Sequence, residues 1–190
     1  MDSKKYEIIR KKYGKVASWL IYGEDYADYN IIEKHINELN PAYVFCALNA
    51  AKDTLGIWQA FHLRYKGGKG KILKDTFNNS PVFRGAYITD LFKEHVNAKS
   101  NEVIRIVKKD ERFRNKNFNK FREEMEDLSI DGKYPRVYTI GGSTSYFFEV
   151  YDALKKFKPT PIPHYSAYGR STGKFQKAIH KIEQEILKGI

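Results

Sequence analysis

Tyr43-Val44-Phe45-Cys46-Ala47-Leu48 is a nearly unbroken apolar run, closed by the polar stretch Asn49-Ala50-Ala51-Lys52-Asp53. A strand with one wet face alternates apolar and polar residues. A short run that stays apolar fits a strand covered on both faces, as in a parallel sheet. The pattern recurs down the chain. Gly85-Ala86-Tyr87-Ile88-Thr89 runs to Asp90, and Arg136-Val137-Tyr138-Thr139-Ile140 runs to Gly141-Gly142-Ser143. Thr160-Pro161-Ile162-Pro163 is short and rich in proline, which predicts an edge strand. Helical periodicity fills the intervals. Residues 28–39 place Ile31, Ile32, His35, Ile36 and Leu39 on one face, with Asp28 as N-cap and Asn40-Pro41 as the stop. Residues 100–109, 117–128, 144–157 and 172–187 also read as amphipathic helices. Alternating strands and helices imply right-handed crossovers and a parallel sheet with helices on both faces. Ligands bind such sheets beyond the carboxyl ends of the strands. The residues to examine are therefore Asn49, Asp90, Ser143 and His164.

Composition narrows the function. The 190 residues predict one domain spanning 1–190. With 42% hydrophobic and 30% charged residues, the chain reads as neither a disordered tail nor a membrane protein. Lys and Arg number 34 against 23 Asp and Glu, a net charge of +11. That excess favours a polyanionic partner, nucleic acid before an anionic membrane surface. A charge that serves solubility alone is the plainer alternative. The single cysteine, Cys46, excludes a disulfide framework, a cysteine-based zinc site and an iron–sulfur cluster. Met1-Asp2-Ser3-Lys4-Lys5 leads into no apolar segment, so no secretory signal is expected and the location expected is cytoplasmic. No His-Glu-x-x-His or Gly-x-Ser-x-Gly occurs, and the five histidines are scattered, so neither a metal nor a cofactor is expected.

Three stretches, each at a strand end, together resemble the uracil-DNA glycosylase superfamily. Leu48-Asn49-Ala50-Ala51 stands where that superfamily has a Gly-x-Asn-Pro-Gly type motif. Ala86-Tyr87-Ile88-Thr89-Asp90-Leu91-Phe92-Lys93 is similar to the strand that ends at its base-reading residue. Pro163-His164-Tyr165-Ser166-Ala167-Tyr168-Gly169-Arg170 resembles its late His-Pro-Ser motif and the loop that follows. The matches keep the family's order and span about residues 43–170. The resemblance implies a three-layer α/β/α sandwich around a central four-stranded parallel sheet. It also implies a monomeric, metal-independent DNA glycosylase, which hydrolyses the N-glycosidic bond of a damaged or deaminated base flipped out of the stack.

The implied roles follow the motifs. Asn49 would place the attacking water, and His164 would donate a hydrogen bond to the departing base. Phe61, twelve positions after Asn49, would stack on the base, with His62 and Asp90 beside it. Ser166 would hold a phosphate, while Tyr168 and Arg170 would lie on the loop entering the duplex. Lys69 and Lys71, in the glycine-rich basic stretch Gly67-Gly68-Lys69-Gly70-Lys71, would touch the backbone. That stretch lacks phosphate-loop spacing. The basic run from Arg105 to Arg122 is interleaved with acids and reads as a solvated helix face.

Each residue also has a plainer reading: Asn49 as a turn former, His164 as a loop residue, Phe61 as core, Asp90 as a cap. The sequence departs from the family at Ala47, Ala50 and Ala51, where glycine or proline is preferred, and at Tyr165, where the late motif has proline. Several uracil-reading members have Asn where this chain has Asp90. An ionised aspartate is acceptor-only and would repel O4 of uracil, so an amino-bearing or modified base is the expected substrate if Asp90 faces the base. The altered first motif keeps a second reading open: a non-enzymatic member of the same fold that binds a nucleobase, nucleotide or single-stranded nucleic acid. An unrelated α/β domain with a basic surface is the third.

Overall fold

The computed structural model describes residues 1–52, 56–62, 70–93, 95–97, 99–166 and 173–189. The long apolar run becomes strand β2 (Asn40–Asn49), flanked by β3 (Ala86–Phe92) and β4 (Arg136–Ile140), with β5 (Thr160–Ile162) outside β4. These four pair in parallel. The proline-bearing β5 is at the edge, where Pro161 costs the sheet little.

A fifth strand corrects the expectation of a wholly parallel four-stranded sheet. β1 (Ala17–Trp19) pairs antiparallel with β3, through Ala17–Thr89, Ser18–Ile88 and Trp19–Tyr87. The sheet is therefore mixed, in the order β1-β3-β2-β4-β5. All three residues of β1 are buried, so they show no alternation, and three residues are too few to show a period.

The pleat divides the core in two. Val44, Cys46 and Leu48 of β2 join one cluster, and Phe45 and Ala47 join the other. The first cluster takes in α1 (Ser3–Tyr13), α4 (Ser100–Lys109), α5 (Glu111–Leu128) and α6 (Gly142–Val150). The second takes in α3 (Gly70–Phe77) and α8 (Lys174–Leu187). Helices thus pack against both faces.

Helix boundaries moved where side chains compete for the backbone. The helix expected over 28–39 is a short α2 (Ile31–Lys34) and a 3-10 turn (Ile36–Glu38). Asp28 Oδ1 accepts from the Asn30 N–H at 3.1 Å, a local turn that delays the start. α5 begins earlier than residue 117, because Asp110 caps it by accepting from the Phe113 N–H at 2.8 Å. The helix expected over 144–157 breaks at Tyr151 into α6 and α7 (Asp152–Lys155). Entry to β3 depends on Gly85, at φ 74°. A Cβ there would lie 2.2 Å from the Glu38 carbonyl oxygen.

One charged network is sealed inside the first cluster. Glu124 of α5, fully buried, accepts from Tyr87 Oη at 2.8 Å and Thr89 Oγ1 at 3.0 Å, and pairs with Lys93 Nζ at 2.7 Å. Removing one member leaves a buried charge without its counterion. Lys93→Met should cost about 3–5 kcal/mol in urea unfolding. Lys71→Met, which breaks an exposed pair with Asp75, should cost under about 1 kcal/mol.

Candidate functional site

The strand register gathers the sequence motifs at one edge. Ala47 pairs with Asp90, Cys46 with Thr139, and Ile140 with Ile162. One step beyond Thr139, Ile140 comes level with Ala47. Asp90, Ala47, Ile140 and Ile162 therefore make a row across β3, β2, β4 and β5. Ala47, Ile140 and Ile162 belong to the second core cluster, and Asp90 is the polar member of the row. Two residues further on stand Asn49, Gly142 and His164, at the carboxyl rim. β4 lies between the strands that lead to Asn49 and to His164.

Asn49 is anchored through its amide nitrogen. Nδ2 donates to the carbonyls of Ala50 (2.9 Å), His95 (3.3 Å) and Asn97 (2.8 Å). Three acceptors around one atom fix the amide orientation, since a flipped group would set oxygen against oxygen. Oδ1 remains as the outward acceptor, and no donor among the described residues reaches it. The side chain thus ties residues 95–97 to the end of β2 while presenting a fixed acceptor.

His164 is held in one tautomer. Its Nδ1 accepts from the Ser166 backbone N–H at 3.1 Å and lies 2.8 Å from Ser166 Oγ. A backbone N–H can only donate, so Nδ1 carries the lone pair and the neutral ring carries its proton on Nε2. Burial lowers the pKa of His164 below the usual histidine value, which favours that neutral form. Tyr165 stacks on the imidazole with centroids 4.6 Å apart. Behind the ring lies Gly141, at φ 83°, where a Cβ would come 3.3 Å from His164 Cδ2. Among the described residues, nothing would lie within 4 Å of a Cβ on Gly142, which is exposed. Ser166, expected at a phosphate, orients the histidine. The His-x-Ser spacing is the sequence signal for this contact. Ser143, also marked in the sequence, lies half-buried in the first turn of α6.

Phe61 is half-buried against the second cluster, on the face that holds Asp90, and its φ is 65°. Trp58, three residues earlier, has φ 61° and is buried. A bulky residue in the left-handed region is a conformational outlier that surrounding structure must impose. Trp58 supplies the anchor: its N–H donates to the Gly14 carbonyl at 2.6 Å and its Nε1 to Tyr6 Oη at 2.9 Å. His62 is sealed in the wall, with Nδ1 3.2 Å from the Tyr26 carbonyl and Nε2 3.3 Å from the Trp19 carbonyl. Burial lowers its pKa to about 4. It braces the segment that carries Phe61; the neutral ring has one N–H and so donates to only one of these two carbonyls. Tyr22, to which the sequence assigned no role, stacks on His62 at 4.6 Å, and its buried hydroxyl has no partner among the described residues.

Asp90 is not a helix cap: β3 continues through it to Phe92. It is 4% exposed, and its Oδ1 has no partner among the described residues. Burial raises its pKa to about 7, against the opposing pull of Lys93. Burial thus favours the protonated carboxyl, a form that can donate as well as accept. Lys71 is exposed on α3, 2.6 Å from Asp75 Oδ2. Lys69, Tyr168 and Arg170 lie outside the described residues.

Two cavities lie away from this rim. One of about 490 Å³ sits at the amino ends of β2 and β4, against Tyr43, Leu128, Tyr134, Arg136 and Ile186. One of about 300 Å³ sits against Thr139, Ser145, Phe148 and Lys158. Among the described residues, no cluster of three or more His, Cys, Asp or Glu could hold a metal ion, and no helix is long and apolar enough to cross a membrane. The chain matches no protein-family model, no curated protein and no solved structure.

Asp90 and His62 give stability opposite dependences on pH. The folded pKa of Asp90 is above its ordinary value, so its contribution is present below about pH 4 and is lost as pH rises through about 7. The folded pKa of His62 is below its ordinary value, so its contribution is present above about pH 6.5 and is lost as pH falls through about 4. Urea unfolding should show Asp90→Asn gaining on the wild type by about 2–4 kcal/mol between pH 4 and pH 8. His62→Asn should flatten the acid limb instead.

Proposed function

We propose that this protein is a metal-independent N-glycosidic hydrolase of the uracil-DNA glycosylase type, acting on a base extruded from DNA. We read its sheet and flanking helices as that superfamily's three-layer sandwich, with β1 added at one edge. The observation that carries this reading is the rim itself. Asn49, a fixed acceptor through Oδ1, closes β2, and His164, a fixed donor through Nε2–H, follows β5 by two residues on the same sheet edge, with β4 between those strands.

The chemistry follows from those two groups. The C1′–N bond breaks with its electron pair passing to the base, and the oxygen of a water bonds to C1′. His164, neutral, donates to the base oxygen where negative charge accumulates, a preorganised donor of the kind that stabilises a developing anion. Asn49 accepts from the water and positions it, but it takes no proton. The water's proton ends on the departing base or in solvent. Phe61 offers an aromatic face to the flipped base on the same side of the sheet. The net charge of +11 fits a polyanionic partner.

One observation favours a second reading, a binder of nucleobases or single strands without catalysis. The amide nitrogen of Asn49 is committed to three backbone carbonyls, so its presence has a structural reason independent of water. Single-turnover assays on a panel of damaged bases separate the two. The hydrolase reading expects excision of at least one base, with His164→Ala slower by about 10²-fold or more. Retained binding with no release of any base supports the binder. If about six phosphates are neutralised, log affinity falls against log salt with a slope near −5. A flat response contradicts the hydrolase reading and the binding of single strands, and leaves only the binder of free nucleobases.

A further inference from the structure

We propose that the cavity of about 490 Å³ at the amino ends of β2 and β4 is a second binding site, for a small organic monoanion: a carboxylate on an apolar body, such as a medium-chain alkanoate. The site is independent of the glycosylase reading. Tyr43 and Asn49 are six residues apart on β2, about 20 Å, so a ligand here leaves the carboxyl rim clear.

Three elements shape the cavity before any ligand arrives. Tyr43 and Arg136, paired across β2 and β4, line it from the sheet. The chain from Ile130 to Lys133 then closes a tight turn, in which each N–H donates to the other's carbonyl, at 3.0 and 2.9 Å. Between them Asp131 and Gly132 have φ 50° and 73°, the left-handed pair that a two-residue hairpin turn of this kind requires. Tyr134, just past the turn, is clamped. Lys156 Nζ lies 4.6 Å from its ring centroid and donates to its hydroxyl at 3.0 Å. That hydroxyl donates to Glu126 Oε1 at 3.2 Å, and Phe157 meets the ring edge-on with centroids 5.3 Å apart. A site that needs no rearrangement loses little affinity to ordering.

The lining names the ligand. Pro41, Leu128 and Ile186 supply an aliphatic surface beside the two tyrosines. Ile130 and Tyr134 stand 42% and 43% exposed on the same cavity, and a ligand's apolar body would cover both. Arg136 and Lys133 also line it, and neither has a carboxylate within ion-pair distance among the described residues. A guanidinium fork receives a carboxylate through two parallel hydrogen bonds. Two acids stand against an anion: Asp131, which lines the cavity, and Glu185 of α8, which acts on Tyr138 beside Arg136. Two lining cations and one lining acid leave a single positive charge. A monoanion balances it, whereas the second charge of a phosphate dianion falls against Asp131 and Glu185. The carboxyl end of α5, whose partial negative charge would oppose any anion, is covered by Lys5 Nζ, which donates to the carbonyls of Leu128 and Ser129.

The test is calorimetric titration of the full chain with butanoate, hexanoate and octanoate, and with octanamide as the uncharged match. Affinity should rise about threefold per added methylene as apolar surface leaves water. Octanoate should bind at least about tenfold tighter than octanamide, and Arg136→Gln should remove that advantage while leaving octanamide within about twofold. Lys133→Gln, on the exposed turn, is the variant that spares the sheet; it should weaken octanoate about threefold with the urea midpoint unchanged. Nuclear magnetic resonance with octanoate should shift Tyr43 and Tyr134 and leave Asn49 and His164 unmoved. Equal affinity for octanoate and octanamide, no binding at about 5 mM octanoate, or shifts away from Tyr43 and Tyr134 overturns the proposal. So does a dimer in sedimentation that Ile130→Asp dissociates, since a second copy then covers this face.

Discussion

Parallel strands must all end at the same edge of their sheet, and in this chain β3, β2 and β4 are largely buried until that edge is reached. Polar chemistry has little room earlier along β2 and β3, whose residues pack against helices on both sides. Register therefore assembles the candidate site. Asn49, Asp90 and His164 come from positions far apart in sequence and arrive within one or two residues of a common level. Asn49 and Asp90 are placed by the backbone hydrogen-bond ladder of β2 and β3, whereas His164 stands in the loop two residues past β5 and is held by Ser166.

Asp90 shows what that placement does to a side chain. A carboxyl one row below the rim cannot keep its water, and the lysine that might compensate is committed to Glu124. His164 is treated in the opposite manner. It sits at the rim, and a contact from Ser166 two residues away settles which nitrogen keeps the proton. His62 is a third case, a histidine shut into the wall with two carbonyls facing it. Three titratable groups on one side of one sheet thus differ in behaviour because they differ in depth and in partners.

Much of this was legible in the sequence. The apolar runs of β2, β3 and β4 announced a sheet covered on both faces, and the proline at 161 announced an edge. Strand ends then pointed to Asn49, Asp90 and His164. What escaped had physical causes. β1 is too short for periodicity, and α1 and α3 passed unrecognised before their tertiary contacts were known. His62 and Asp90 read as polar partners for a base, and their burial did not show because composition does not report depth. The contact of Ser166 with His164 has only the local His-x-Ser spacing as its sequence signal. The positive φ of Phe61 comes from how Trp58 is locked into the core, a tertiary effect with no local signature.

The central claim is that the carboxyl edge of the sheet is where a base is received. Nuclear magnetic resonance of isotope-labelled protein titrated with a uracil-bearing oligonucleotide addresses it directly. The account predicts shifts in the Asn49 side-chain amide and the His164 imidazole, with Tyr43 and Arg136 at the opposite edge unmoved. Shifts confined to the cavity around Tyr43, Tyr134 and Arg136, with Asn49 and His164 silent, would contradict it.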